Sequence, residues 1–275
     1  MNPPHVKVAL VTGASSGIGA AAARMLAAEG YHVLAAARSM NKLEALASER
    51  IEPLRLDLTD RDSIAAVLDH LRASHGRIDV LVSNAGYGNW GLVEGTSLDA
   101  ARRQFEVNVF GTMAIVDGVL PMMREQRSGR IVQLASVVSH ISPPVVGWYA
   151  ASKHAIKALM DALRPEVKPL GIHVVLIEPG TIATGFAETA LAELARSDVP
   201  ADYQPLVDGF LRSISAMYEG CPGPEGVVAA IRKAVTARRP RAEYTDRLST
   251  RASVLARHLL SNRVFDWGLA YRLRR

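Results

Sequence analysis

The chain has 275 residues, 49% apolar and 21% charged, with a formal charge of +5 and one cysteine, Cys221. That length suits one large α/β domain with a substantial core. A lone cysteine excludes an internal disulfide, and no Cys/His spacing along the chain suggests zinc, so no metal site is expected. No stretch approaches the roughly 20 apolar residues of a spanning helix. The N-terminal apolar run is too short for a signal-peptide core, so the expected location is the cytoplasm.

In chain order, short apolar runs fall at residues 6–11, 32–37, 52–56, 78–83, 130–135 and 173–177. Several are rich in Val, Leu and Ile on both faces, as in parallel strands buried on both sides. Helical patterns separate them at 20–29, 63–73, 98–124 and 149–163. The first is alanine-rich and stops at Gly30. The third is interrupted by Gly111, Gly118 and Pro121. The fourth is expected to kink or end near Leu163, because Pro165 and Pro169 follow. This alternation predicts right-handed βαβ units and a doubly wound α/β sheet.

After Pro179-Gly180 the rhythm changes. Residues 181–218 read as one or two helices, Gly220 to Pro224 as a loop, 227–237 as a helix and 241–244 as a short last strand. The whole, 1–275, is read as one unit, with 181–225 a substrate-binding helical insert and 238–275 a basic helical extension. The extension carries Arg239, Arg241, Arg247, Arg251, Arg257, Arg263, Arg272, Arg274 and Arg275. Such a tail suits an anionic membrane surface or nucleic acid. No nucleic-acid motif accompanies it, which leaves a solvated helical face or a peripheral membrane contact.

The first strand runs into Thr12-Gly13-Ala14-Ser15-Ser16-Gly17-Ile18-Gly19 and then a helix. Glycines let the backbone turn and approach a pyrophosphate, and a helix N-terminus offers free N–H groups and a positive dipole end. At the end of the second strand, a carboxylate would bind an adenosine 2′-hydroxyl and repel a 2′-phosphate. Here stand Ala36-Ala37-Arg38-Ser39, with no acid and one base. That favours NADP(H) over NAD(H).

Tyr149 and Lys153 are four residues apart and so share one helix face. An ammonium beside a phenol favours phenolate; bringing the phenol's pKa from about 10 to neutrality takes roughly 4 kcal/mol. Alone, such a pair is common on amphipathic helices. Its weight comes from company: Asn84-Ala85-Gly86 after the fourth strand, Asn108 in the long helix, Ser136 at the end of the fifth strand, then Pro179-Gly180 and Thr184.

The order and spacing of these landmarks over residues 6–185 resemble the short-chain dehydrogenase/reductase family. The resemblance implies a single Rossmann-type domain with a seven-stranded parallel sheet and helices on both faces. It implies a catalytic set: Tyr149 as general acid/base, Lys153 lowering the Tyr149 pKa and binding the nicotinamide ribose, Ser136 holding the substrate oxygen. Asn108 would hold a backbone-bound water that extends a proton relay from Lys153. It implies cofactor contacts from Gly13, Ser15, Ser16, Gly17, Ile18, Gly19, Arg38, Asp57, Leu58, Asn84, Ala85, Gly86, Tyr149, Lys153, Pro179, Gly180, Ile182 and Thr184, with Asp57 at the adenine. A homodimer or homotetramer is the family expectation.

For substrate, the apolar residues of 137–148 and 181–218 predict a largely apolar pocket. These stretches look similar to the hydroxysteroid and retinol dehydrogenase-like branch. The expected substrate is therefore a hydrophobic alcohol or carbonyl of steroid, retinoid or lipid type. A 3-oxoacyl thioester reductase is the competing enzyme, and a non-catalytic NADP(H) sensor or scaffold the competing class.

Overall fold

A computed structural model describes residues 6–274; residues 1–5 and Arg275 of the basic tail lie outside it. Seven parallel strands form one sheet in the order β3-β2-β1-β4-β5-β6-β7. They are β1 (Val8–Thr12), β2 (His32–Ala37), β3 (Ile51–Arg55), β4 (Val80–Ser83), β5 (Gly129–Leu134), β6 (Ile172–Glu178) and β7 (Glu243–Thr245). Every residue of β1 and β4 is buried, as their unbroken apolar runs require of strands covered on both faces. The strand order reverses direction between β1 and β4, which opens a crevice at their carboxyl ends.

Helices cover both faces: α1 (Gly17–Ala28), α2 (Met40–Glu44), α3 (Arg61–His75), α4 (Leu98–Phe105), α5 (Thr112–Gln126), α6 (Gly147–Val167), α7 (Phe186–Ala195), α8 (Gln204–Tyr218), α9 (Glu225–Thr236), α10 (Leu248–Leu259) and α11 (Asn262–Arg274). Leu26 of α1 and Ile231 of α9 pack with Val11 and Val33 on one face. Leu71 of α3, Ile115 of α5 and Ile156 of α6 pack with Leu10 and Leu81 on the other. Local chemistry sets the ends. The Asp60 carboxylate accepts from the Asp62 N–H at the start of α3, and Gly76 closes it in the left-handed region at φ 61°.

Three expectations need correction. The chain from 98 to 126 is helical throughout, and its irregularity is a π-helical turn at Glu106–Gly111 rather than breaks at Gly118 and Pro121. By length and hydropathy Leu98–Gln126 is long and apolar enough to cross a membrane. Its apolar face, with Ile115, Val116, Val119 and Met123, is instead buried in the core. Finally, α6 does not end near Leu163 but runs to Val167, followed by a 3-10 turn at Lys168–Leu170. Pro165 lies inside this helix, near its end, and costs the Asp161 carbonyl one ladder bond without ending the helix.

Candidate functional site

The crevice is a cleft of about 580 Å³ running from the β1–α1 loop, across β4 and β5, to α8 and α11. At one end Gly13 and Gly17 hold φ of 67° and 52°, a region that favours glycine. A Cβ on Gly19 would collide with the Gly13 carbonyl and the Asn84 amide, so this glycine lets α1 close on the loop. Asn84 Nδ2 donates to the carbonyls of Thr12 (3.0 Å) and Gly13 (3.2 Å), tying the loop across the switch point. Ser16 caps α1 with no side-chain hydrogen bond, and the first turn holds no acid. The N–H groups there are thus left for an anion. This cradle fits the pyrophosphate of a dinucleotide.

Farther along, Arg38 is exposed at the end of β2, facing the cleft beside Ser39 and Asp57. The Asp57 Oδ1 accepts from Thr59 N–H (3.0 Å) and Oγ1 (2.8 Å). The Thr59 backbone hydrogen bond, with Arg38 and Arg55 in support, holds its carboxyl below the usual range. No carboxylate stands at the end of β2 to oppose a 2′-phosphate.

At the other end Ser136, Tyr149 and Lys153 converge. Ser136 follows β5 and its Oγ accepts from the Val138 N–H at 3.3 Å. Tyr149 and Lys153 are both buried on α6. Lys153 Nζ donates to the Leu134 carbonyl at 3.0 Å and lies 5.9 Å from the Tyr149 ring centroid. Burial pulls the ammonium down to about 8. Burial also pushes the Tyr149 phenol above its ordinary value; the Ser136 hydroxyl opposes this and Tyr218 adds to it. This reverses the expected direction. Desolvation is the largest influence on this phenol, so the surrounding protein favours its protonated form.

Of the site residues expected from sequence, all but two line this cleft. Gly19 packs behind it. Asn108 also sits behind it, in the π-helical turn, where its Oδ1 accepts from Tyr87 N–H (3.1 Å). Its Nδ2 donates to the Tyr87 carbonyl (2.9 Å) and Ser152 Oγ (3.1 Å). The Asn108 side chain therefore braces the loop after β4 against α6. Within 137–148, Val137, Val138, Ile141, Pro143 and Val146 line the cleft; Pro144, Val145 and Trp148 do not. Within 181–218, Phe186, Phe210, Met217 and Tyr218 line it, whereas Leu191, Leu194 and Leu211 do not.

Among the lining residues that escaped the sequence reading are Tyr87, Trp90, Val107, Leu269 and Leu273. Trp90 packs edge-on against Phe210 at 5.5 Å between centroids, and its Nε1 is buried with no hydrogen-bond partner among the described residues. Leu269 and Leu273 come from α11, so the extension is not wholly a solvated face: it packs on α8 and forms one wall of the cleft. Their spacing of four was a readable signal, hidden by the arginines around it.

Comparison with known proteins agrees with this geometry. The profile of the short chain dehydrogenase family matches residues 7–195. The chain is 33% identical to a 3-ketodihydrosphingosine reductase of Bacteroides thetaiotaomicron, over 85% of both chains. A short-chain dehydrogenase structure from Streptomyces avermitilis superposes with a TM-score of 0.83 at 32% identity, covering 98% of both chains. A Burkholderia phymatum family structure in complex with NAD gives 0.80 at 28% identity, over 94% of this chain and 95% of that one. A metagenomic oxidoreductase in complex with NADP gives 0.61 at 34% identity, over 64% and 82%.

Proposed function

Since the chain belongs to the short-chain dehydrogenase/reductase family, we propose that it is an NADP(H)-dependent enzyme interconverting a hydrophobic alcohol and its carbonyl. The observation that carries the proposal is the convergence of Ser136, Tyr149 and Lys153 at the apolar end of a cleft whose other end is a pyrophosphate cradle. Similar structures hold NAD in one case and NADP in another. Arg38, without a carboxylate at the end of β2, favours the phosphorylated form.

A bound nicotinamide supplies or accepts the hydride. The chain's own residues supply the rest. Gly13, Ser15, Ser16, Gly17 and Ile18 hold the pyrophosphate, with Gly19 allowing the close turn. Asp57 and Leu58 border the adenine, and Asn84, Ala85 and Gly86 form the floor. Pro179, Gly180, Ile182 and Thr184 border the carboxamide end. Lys153 binds the ribose. The Ser136 hydroxyl donates to the carbonyl oxygen and steadies its growing charge. The Tyr149 hydroxyl gives that oxygen its proton. The Lys153 ammonium then offsets the phenolate left behind, and Asn108, in its π-helical turn, holds by its backbone the water that refills the proton.

The substrate end is walled by Trp90, Phe186, Phe210, Met217 and Leu273. This lining supports an apolar, lipid-like carbonyl, as does similarity to a 3-ketodihydrosphingosine reductase. Residues 181–225 act as the substrate-binding insert. Exposed Phe110 and Leu159, near the long helices of one face, support a homodimer or homotetramer. Exposed Leu255, Leu259, Val264 and Trp267 lie among Arg251, Arg257 and Arg263 on α10 and α11. That mixture suits an anionic membrane surface better than a second, equally cationic copy. A cytoplasmic location goes with this reading, since a single cysteine, Cys221, calls for no oxidising compartment.

The test is Tyr149→Phe, assayed with NADPH on a panel of long-chain ketones and 3-oxoacyl thioesters. Turnover should fall roughly 10²–10⁴-fold, the usual worth of a positioned acid, while NADPH affinity holds within about twofold. Retained turnover would refute the mechanism. A preference for thioesters would replace the substrate assignment. Nucleotide binding by the wild type with no turnover on any carbonyl would make the protein a sensor.

A further inference from the structure

At the far end of the sheet from the cleft, three imidazoles meet one carboxylate. His32 opens β2, Glu52 lies near the start of β3, and His70 and His75 lie in the last turns of α3. Leu34 and Glu52 are register partners, so His32, two residues earlier, points to the same sheet face as Glu52. That is the face α3 covers. His32 Nε2 lies 3.1 Å and His75 Nε2 3.5 Å from the same oxygen, Glu52 Oε2. His70 Nε2 lies 2.6 Å from the other oxygen, Oε1. The His32 and His75 rings are 4.8 Å apart between centroids.

A surface hydrogen-bond cluster explains part of this. Glu52 can accept from His32 and from His70, one imidazole per oxygen. His75 is left over: its Nε2 is buried and has no hydrogen-bond partner among the described residues, a costly state for a polar atom. Its ring is the least exposed of the three and is aimed at an oxygen already engaged. A cation on this spot would satisfy all the atoms at once. Ligands about 2.0–2.1 Å from a tetrahedral zinc ion stand about 3.3 Å from each other. The separations of His32 and His75 from Glu52 Oε2 bracket that distance.

We propose that His32, His75 and Glu52 bind a divalent transition-metal ion of the zinc type, with His70 as fourth ligand or as the partner that orients Glu52. Two imidazoles and a carboxylate form a borderline donor set, suited to Zn²⁺ over Mg²⁺ or Ca²⁺. The ligands come from two strands and a helix, so no spacing along the chain reveals them. The ion would pin the end of α3 to the edge of the sheet, remote from Tyr149 and Lys153, and so acts on stability rather than turnover.

The experiment is calorimetric titration of ZnCl₂ into tag-free, chelator-stripped and dialysed full-length protein. One ion should bind per chain at micromolar affinity or tighter. His75→Gln and Glu52→Gln should each weaken it at least tenfold, while His154→Gln, outside the cluster, leaves it unchanged. Circular dichroism confirms that each variant folds. Co²⁺ in place of Zn²⁺ should give the intense visible bands of a four-coordinate ion, lost in His75→Gln. No saturable binding, or binding unchanged in both cluster variants, would overturn the site. Ketone reduction by NADPH should persist in His75→Gln, so failure of the metal site leaves the oxidoreductase reading standing.

Discussion

Replacing Lys153 with Met tests the electrostatics of the site without any substrate. Lys153 is buried, its only hydrogen-bond acceptor among the described residues is a neutral carbonyl, and desolvation lowers it from its ordinary 10.5 to about 8. At 1.36 kcal/mol per pKa unit, that drop is about 3 kcal/mol of native-state penalty for the charged form. The sign follows from linkage. Between pH 8 and 10.5 the unfolded chain binds the proton and the folded chain does not, so stability rises with pH. The penalty is full below about pH 8 and gone by about pH 10.5. Lys153→Met has no charge to desolvate and lacks this window. It loses the Leu134 hydrogen bond at every pH, so the quantity to read is the change in the stability gap. Urea unfolding of both proteins at about pH 7 and about pH 10.5 should show the gap shifting by about 3 kcal/mol, wild type gaining at high pH. A gap constant within about 0.5 kcal/mol, or one moving the other way, would show that Lys153 is not held down by burial.

Other perturbations bear on separate parts of the cleft. Arg38→Asp should reverse the nicotinamide preference, costing roughly tenfold or more in NADPH affinity and improving NADH; fluorescence titration with both nucleotides checks it, and an unchanged ratio removes Arg38 from the site. Gly19→Ala drives a Cβ into the Gly13 carbonyl and the Asn84 amide. It should cost about 1–3 kcal/mol in urea unfolding and weaken both nucleotides alike; a neutral result would mean the loop has room that the packing denies. The full chain should float with vesicles containing phosphatidylglycerol but not with pure phosphatidylcholine, and Trp267→Ser with Leu259→Ser should abolish flotation. Concentration-dependent dimerisation without flotation would assign that face to a second copy.

The half of the molecule built around the cofactor was legible because its constraints are local. A glycine where the backbone must turn left-handed, an uncapped helix start and buried apolar strands each leave a mark within a few residues. Six strands fell within about two residues of their expected positions, and β7 was found near its place. Residues far apart in sequence were read through order and spacing, as with Ser136, Tyr149 and Lys153. What was not legible depends on packing across the fold. The π-helical turn at Asn108 has no composition signature. Leu269 and Leu273 were masked by neighbouring arginines, since apolar content is judged over a window while only one helix face enters the cleft. The His32, Glu52 and His75 cluster required the β2–β3 register and the placement of α3 together. The effect of burial on Tyr149 was not legible either, because a charge partner can be counted from sequence and desolvation cannot.

That last point bears on how the proposed site works. Phenolate and ammonium together carry the same net charge as phenol and amine, so the pair can shift between these states without importing charge into the cleft. Burial penalises each ion separately: it raises Tyr149 and lowers Lys153. Each penalty shrinks once the opposite ion forms beside it. Below about pH 8 Lys153 holds its proton with no counter-ion among its hydrogen-bond partners. Transfer of the Tyr149 proton to a substrate oxygen creates that counter-ion at the moment of reaction. The ammonium is then better accommodated after proton transfer than before it, and stabilisation that grows along the reaction coordinate is the kind that accelerates a step. On the proposed mechanism, a protonated phenol beside an ammonium that lacks a counter-ion favours delivering a proton, the step that carbonyl reduction requires.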